Sequence, residues 1–424
     1  MTLGLSIVAI FLLMMAASVP VFIAMALAGF AGFILSHGLS TALYGFTETV
    51  WQSTHVYELI AIPLFILTGT IMQQSGAGRD LYQVVNAFAG RMRNASGVAT
   101  IVACGIFAAI CGSSIATAAT VGYVAIPALK DAGYGEKRAG GFVAAGGTLG
   151  ILIPPSIPMI LYGIITDTSI GQLFIAGVVP GLLMMTAFSL YAWRSLPRIA
   201  AVVVPDGQRS YLLRRSIGVL LLPPVIIGAI YMGFFTPTEV GALSVLYVLG
   251  LGVVQKRLDL TITWRAILAA TRTSSMLLML IVFGQYFAHY LTFEEVPQTI
   301  AQSIAAVPGG HFVTLTLVIL GYLLLGMFLE SAAMLLISVP IFFPVAMALG
   351  MHPLTFGIFA VMTMEIAQIS PPVGINLFTI HGISGISLEK LSRGVLPFII
   401  GQICFLYLIY YVPQIVLWLP EQMK

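Results

Sequence analysis

Two proline pairs interrupt long apolar runs, and oxygen-bearing residues crowd around each. The first stretch reads Gly146-Gly147-Thr148-Leu149-Gly150, then Pro154-Pro155-Ser156-Ile157-Pro158. The second reads Gln368-Ile369-Ser370-Pro371-Pro372-Val373-Gly374-Ile375-Asn376. Proline has no N–H and its ring clashes with the preceding turn, so carbonyls upstream of each pair lose their helical donors. Bare carbonyls are costly in an apolar medium. They can instead coordinate a desolvated cation, and a hard cation such as sodium suits oxygen ligands. The half-helix after each pair starts with free N–H groups and the positive end of its dipole, which favours an anion such as a carboxylate.

Upstream of each pair lies a short polar step within apolar sequence, Gly112-Ser113-Ser114 and Glu330-Ser331. Pairing each step with its own break gives the expected sodium ligands. Gly112, Ser113 and Ser114 face Thr148 and the carbonyls before Pro154; Glu330 and Ser331 face Ser370, the carbonyls before Pro371, and Gly374. The expected anion contacts are Ser114, Ser156, Ser331 and Asn376. Glu330 and Glu365 are acids within apolar stretches, which makes them candidate coupling acids; the alternative is a protonated or paired structural acid. His289 and His381 read as packing or interfacial residues. A lone proline pair is ordinarily a kink, and Pro223-Pro224 is read as one.

What separates the two breaks from a kink is repetition. At an offset of 217 residues, Ser114–Pro180 lies on Ser331–Pro397 without gaps. Pro127 meets Pro344, Gly133 meets Gly350, Pro154-Pro155 meets Pro371-Pro372, and Pro180 meets Pro397, while Glu365 occupies the place of Thr148. Most of the identities are Pro or Gly, the residues that fix backbone geometry.

The elements that carry these steps are membrane spans. Apolar residues make up 59% of the chain and charged residues 8%, against roughly 25% charged in a soluble domain. The longest polar stretch, Arg194 to Arg215, leaves no room for a soluble domain. The N-terminal apolar segment has no basic start and reads as a retained span. The three cysteines sit in apolar surroundings, so neither a disulfide nor a transition-metal site is expected. Full spans are assigned near 4–36, 56–74, 139–164, 170–193, 216–235, 238–254, 266–290, 354–381 and 396–418. The stretches 95–129 and 312–349 are read as hairpins that enter part-way and return, since their arms are short and no loop divides them. With the N-terminus in the cytoplasm, all of the 18 Lys and Arg except Lys424 fall at or near the cytoplasmic face, as the positive-inside rule requires. Glu48, Asp167, Glu294 and Glu295 fall outside, and so does the C-terminus. An odd number of spans separates the hairpins, so they enter from opposite sides. Residues 79–93 carry an amphipathic pattern (Leu81, Val84, Val85, Phe88) that reads as an interfacial helix.

The predicted fold class is therefore an all-α polytopic membrane protein of inverted repeats, with two re-entrant helical hairpins and two broken helices. Its organisation is 1–94 for N-terminal scaffold spans and the interfacial helix, 95–193 for the first hairpin and broken helix, 194–307 for a linker and further scaffold spans, and 308–424 for the second hairpin, broken helix and last span. Inverted repeats with broken helices are the recurring plan of secondary transporters. No phosphate-binding loop, Ser-centred elbow or His-Glu-x-x-His motif is present, which argues against ATP hydrolysis by that route and against an intramembrane enzyme. A channel is the other possibility, but hairpins paired across an inverted repeat suit alternating access better.

Ile62-Pro63-Leu64-Phe65 with Gly69, Gly112-Ser113-Ser114, Gly147-Thr148-Leu149-Gly150-Ile151-Leu152-Ile153-Pro154-Pro155-Ser156, Phe235-Thr236-Pro237-Thr238-Glu239 and Ser370-Pro371-Pro372-Val373-Gly374-Ile375-Asn376 together resemble the large membrane subunit of tripartite ATP-independent periplasmic (TRAP) transporters. The resemblance covers essentially the whole chain. It implies an elevator mechanism in the bacterial inner membrane and sodium-coupled uptake of an organic acid handed over by a periplasmic substrate-binding protein. It also implies a separate small four-helix membrane subunit as partner. The stretch from Gly147 to Ser156 looks most like members that handle C4-dicarboxylates. Sodium is the coupling ion so implied; no other cofactor and no nucleic-acid partner is expected. The charge placement is checked by fusing alkaline phosphatase after Arg257 and after Glu295. The first fusion should be inactive and the second active, and the reverse pattern would overturn the topology.

Overall fold

The computed structural model describes residues 2–90, 94–194, 206–305 and 307–423. Arg91, Arg93, Arg198 and Lys424, all used in the charge placement, lie outside the described residues. Every regular element among those described is helical. The first half of the chain holds α1 (Thr2–Ala16), α2 (Val21–Thr54), α3 (Ala61–Gln74), α4 (Ala77–Ala89), α5 (Ala95–Cys111), α6 (Ser114–Asp131), α7 (Gly135–Thr148), α8 (Ile157–Thr166) and α9 (Ile170–Arg194). The second half holds α10 (Asp206–Tyr231), α11 (Pro237–Val254), α12 (Leu260–Phe293), α13 (Val296–Ala305), α14 (Gly310–Gly326), α15 (Ser331–Ala348), α16 (Pro353–Ile369), α17 (Ile375–Ser384), α18 (Leu388–Tyr411) and α19 (Gln414–Leu417). Seven of these helices are long and apolar enough to cross a membrane, or eight if the bent pair α3–α4 counts as one span.

The 217-residue offset holds element by element. It lays α5 to α9 on α14 to α18, with each polar step at the turn between two helices and each proline pair at a break. It also reaches beyond the stretch where identities are visible. Pro20, before α2, falls on Pro237, the first residue of α11, and α4 falls on α13.

The two hairpins enter from opposite ends, and the long helices show it. Asn94, at the base of the first hairpin, donates to the Trp193 carbonyl at the end of α9 at 2.9 Å. Lys390, at the start of α18, meets Glu136 just past the same base at 2.7 Å. At the other end of α18, Tyr410 bonds His311 at the base of the second hairpin at 2.7 Å. Tyr162, on α8 before α9, donates to the Pro353 carbonyl just past that base at 2.7 Å. So α9 and α18 run antiparallel between the two bases.

One expected span is corrected. Residues 4–36 do not form a single crossing. The helix stops at Ala16, turns through Ser18 (φ 64°) and restarts at Val21. Gly4 packs against Glu294 and Val296, and Ser36 donates to Glu294 at 2.8 Å. Both ends of the segment therefore lie at the Glu294 face, so α1 and the front half of α2 form an antiparallel pair. This puts the N-terminus on the same face as Glu294, whereas the expected topology has the two on opposite faces. The physical reason is that no Lys, Arg, Asp or Glu precedes Glu48, so a rule based on charge is blind to how often this segment crosses. Beyond Gly38 (φ 84°) the helix axis turns. The rear half of α2 then lies across α12: the Ala42 carbonyl accepts from Tyr286 at 2.8 Å, and Ser53 donates to Gln285 at 2.5 Å.

The amphipathic stretch is helical as α4, bent 70° from α3. Leu81 and Val84 are buried and Phe88 is exposed. Asp80 pins α4 down, accepting from Arg257 and, at 2.8 Å, from Arg215. Arg257 is 8% exposed and Arg215 43% exposed. Breaking a buried pair costs more than breaking a solvated one. Asp80→Ala leaves Arg257 buried without its partner and should cost about 3–5 kcal/mol, whereas Arg215→Ala should cost about 1 kcal/mol or less. Melting curves of the two purified variants should show that order, and equal shifts would refute it.

Candidate functional site

Both hairpin tips reach the centre of the molecule and meet there on one side chain. Ser114 Oγ donates to Gln368 Oε1 at 3.1 Å. Gln368 Nε2 donates to Ser331 Oγ at 2.5 Å and to Glu365 Oε1 at 3.1 Å. Gln368 and Glu365 are fully buried. The amide thus ties one step from each repeat to the acid on α16. This differs from the expected pairing of each tip with its own break, since Ser114 crosses to the second break. The first tip does touch its own break through backbone: a Cβ on Gly112 (φ 60°) would lie 2.7 Å from the Pro155 carbonyl oxygen, an approach only glycine permits.

The tips also line a cavity of ≈390 Å³. Its walls are Cys111 to Ala116 and Glu330 to Ala332 from the hairpins, Thr70 and Gln73 from α3, and Thr273 and Met276 from α12. Gly69 lets α3 abut the first tip, for a Cβ there would lie 2.7 Å from Cys111 Cβ. Another recess of ≈410 Å³, lined by Glu58, Asp167 and Thr236 among others, holds none of the predicted residues.

The breaks behave as proline chemistry dictates. Both Pro154-Pro155 and Pro371-Pro372 are cis. At the second break Pro372 stands where a donor to the Gln368 carbonyl would be, and Pro371 where a donor to Ala367 would be. The Ala367 carbonyl recruits Ser370 N at 3.2 Å instead. Gly374 (φ 50°) lies against the Gln368 and Ser370 carbonyl oxygens, 3.0 and 3.1 Å from where its Cβ would be. Two carbonyl oxygens are thereby gathered beside one glycine. The Ser370 hydroxyl is not aimed there; it donates back to the Ile366 carbonyl at 2.7 Å.

The two half-helices differ. Ser156 caps α8, its hydroxyl oxygen accepting from Met159 N at 3.4 Å, a bond that uses the oxygen as acceptor and not its O–H donor. By contrast α17 begins at Gly374 with no side-chain cap. In its first turn Asn376 is fully buried, and neither its amide nitrogen nor its amide oxygen has a partner. Unpartnered buried amides are rare and costly. Of the expected anion contacts, Ser114 and Ser331 line the central cavity, and Ser156 and Asn376 are not part of its lining.

Thr148 is placed elsewhere than expected. Its hydroxyl donates to the Ala145 carbonyl at 2.7 Å and accepts from Gln402 Nε2 on α18 at 2.9 Å, and makes no hydrogen bond to the first tip. Its repeat partner Glu365 does reach the centre. Glu365 Oε2 and Glu330 Oε1 are both buried without a partner. Glu330 also stands at the N-cap of α15, where its carboxyl lies at the first backbone N–H groups of that helix without a close capping hydrogen bond, and it lines the cavity. Gln368 is a site residue that the sequence reading does not include. Gln368 had a signal, a polar residue three positions before the second proline pair, but its repeat position holds Ile151, so the repeat did not flag it.

A helical membrane chain folded as inverted repeats, with broken helices and hairpin tips meeting at its centre, defines a secondary transporter. The chain belongs to the tripartite ATP-independent periplasmic transporter family, DctM component, whose profile matches residues 8–415. It is a large permease component and not an enzyme. It is 39% identical over 378 residues to the C4-dicarboxylate TRAP transporter large permease protein DctM of Pseudomonas aeruginosa, covering 88% of each chain. It is 34% identical to the isethionate TRAP transporter permease protein DctMQ of Oleidesulfovibrio alaskensis, covering 96% of this chain and 64% of that one. The crystal structure of the YdaH transporter of Alcanivorax borkumensis matches with a TM-score of 0.63 at 16% identity over 88% of each chain, a likeness of fold alone.

The unpartnered amide separates function from stability. Replacing Asn376 by Leu removes a buried unsatisfied group and should leave the melting temperature unchanged or raised, while uptake falls by on the order of ten-fold or more if a ligand group pairs with that amide. Replacing Gln368 by Leu breaks three bonds and should lower both. Full uptake by N376L would show that no ligand uses the amide.

Proposed function

We propose that this permease couples sodium entry to import of a small organic acid anion, with C4-dicarboxylates as the favoured class. The observation that carries the reading is the central cavity, where both hairpin tips, held together by Gln368, face walls from α3 and α12. Bare carbonyls at the second break supply oxygen ligands for a hard cation. The uncapped start of α17 supplies N–H groups for a carboxylate. The names of the relatives support an anionic cargo, since they include C4-dicarboxylate and isethionate transporters.

In this reading α5–α9 and α14–α18 form the moving part, and α1–α4 and α10–α13 the scaffold. The tips carry the anion past α3 and α12 in an elevator movement. Ser114 and Ser331 hold the substrate where they line the cavity. A periplasmic binding protein delivers it, and a small four-helix subunit packs on the scaffold. The membrane is the bacterial inner membrane, with the basic face cytoplasmic. That places the C-terminal end of α18 in the periplasm, and the N-terminus with it.

A second reading is favoured by one observation. Glu365 and Glu330 each bury a carboxylate oxygen without a partner, and a proton on each would relieve that. Liposomes holding the reconstituted permease and its partners decide between the readings. An imposed sodium gradient should drive uptake of succinate, and the double variant E330Q/E365Q should keep part of it. Uptake driven by a proton gradient alone, and abolished in the double variant, would favour proton coupling and overturn the sodium assignment.

A further inference from the structure

Away from the hairpin tips, two recesses adjoin between α9 and α18. The first, of ≈460 Å³, has Lys137, Arg138, Lys390 and Arg393 around it and Phe142 and Phe398 at its floor. The second, of ≈490 Å³, is apolar, with Met184, Phe188, Gly401 and Phe405 among its walls. They share Tyr191, Pro397 and Phe398, so they form one groove with a basic mouth. Phe398 is its ridge, with the rings of Phe188 and Tyr191 each 5.0 Å away and edge-on.

The mouth carries more positive charge than its own acids neutralise. Lys390 and Lys130 both bind Glu136, at 2.7 and 3.0 Å, and these hydrogen bonds, that of Lys390 first, hold the Glu136 carboxyl down to about 2. Arg393 pairs with Glu389 at 2.8 Å. Lys137 and Arg138 are exposed and have no ion-pair partner among the described residues. From Arg393 the groove follows α18 to Leu408, roughly 22 Å at the helical rise. That exceeds the depth of one leaflet, about half of a ~30 Å hydrocarbon core. Basic side chains at the membrane surface above an apolar slot match a phosphate headgroup with its acyl chain.

We propose that this groove binds an anionic phospholipid. The headgroup phosphate sits among Lys137, Arg138, Lys390 and Arg393, and an acyl chain runs down between α9 and α18 past Gly401. A Cβ at Gly401 would meet nothing within 4 Å, so a side chain there enters the groove without displacing protein.

The test is native mass spectrometry of the full-length chain in mild detergent, titrated with phosphatidylglycerol and phosphatidylcholine of the same acyl chains. Phosphatidylglycerol should be held on the order of ten-fold more tightly, given two unpaired cations at the surface. K137A/R138A should remove that preference. Gly401→Leu should weaken both lipids and keep the preference. Monodisperse elution and unchanged melting curves certify that the variants are folded. Equal binding of the two lipids, or a preference surviving in K137A/R138A, overturns the proposal. Displacement of phosphatidylglycerol by glycerol 3-phosphate, or indifference of both lipids to Gly401→Leu, assigns the basic mouth to a soluble anion and overturns it too.

Discussion

A backbone carbonyl that loses its donor inside a bilayer has no water to turn to. That constraint organises the molecule. Two proline pairs create such carbonyls near the centre of the chain's own fold, and the surrounding elements can be understood as answers to them. The hairpins enter from opposite faces to bring hydroxyls and an acid to that depth. Gln368 uses both ends of its amide to bind the two tips and Glu365 together. Ser370 and Ser156 use their hydroxyls on nearby backbone. What remains unanswered, the Gln368 and Ser370 carbonyls beside Gly374 and the bare amide of Asn376, is concentrated at the second break.

The repeat therefore supplies a frame and not a pair of equal sites. Its two breaks share their prolines but diverge in the residues between and after them. Thr148 and Glu365 occupy equivalent positions, yet the hydroxyl binds Gln402 toward α18 while the acid joins the centre. Ser156 seals the start of α8, whereas Gly374 leaves the start of α17 open. One break is capped by its own serine, and the other keeps buried polar atoms without a protein partner. An ion or ligand meets different chemistry on the two halves of a nearly symmetric backbone.

Much of this was legible in the sequence where Pro and Gly set the geometry. The hairpins, the breaks, their inverted placement and the amphipathic helix α4 follow from residues that dictate backbone shape or from the pattern of apolar and charged positions. The parts that were not legible have identifiable causes. The N-terminal pair of helices lies in a stretch with no charge to count. The bridge through Gln368 joins residues far apart in sequence, and its repeat counterpart is Ile151, so no internal comparison could reveal it. Ser156, expected as an anion contact, has a proline at the second helical position after it and also serves as the N-cap of α8. Phe235-Thr236-Pro237-Thr238-Glu239 is a similar case. In the structure Thr236 and Glu239 form a reciprocal capping box at the start of α11, so this part of the family resemblance has a role as a helix cap.

The charge silence before Glu48 has a bearing on how the chain is made. When α1 and α2 leave the ribosome they carry no positive residue to hold either end in the cytoplasm. Their native neighbours, Tyr286, Phe287, Glu294 and Val296, belong to a helix and a turn synthesised much later. Up to Glu48 the segment carries no charge that marks a face, and its contacts with α12 and Glu294 are what fix its direction in the fold. An element without charges of its own is thus held in place by partners far along the chain, Ser36 by Glu294 across 258 residues.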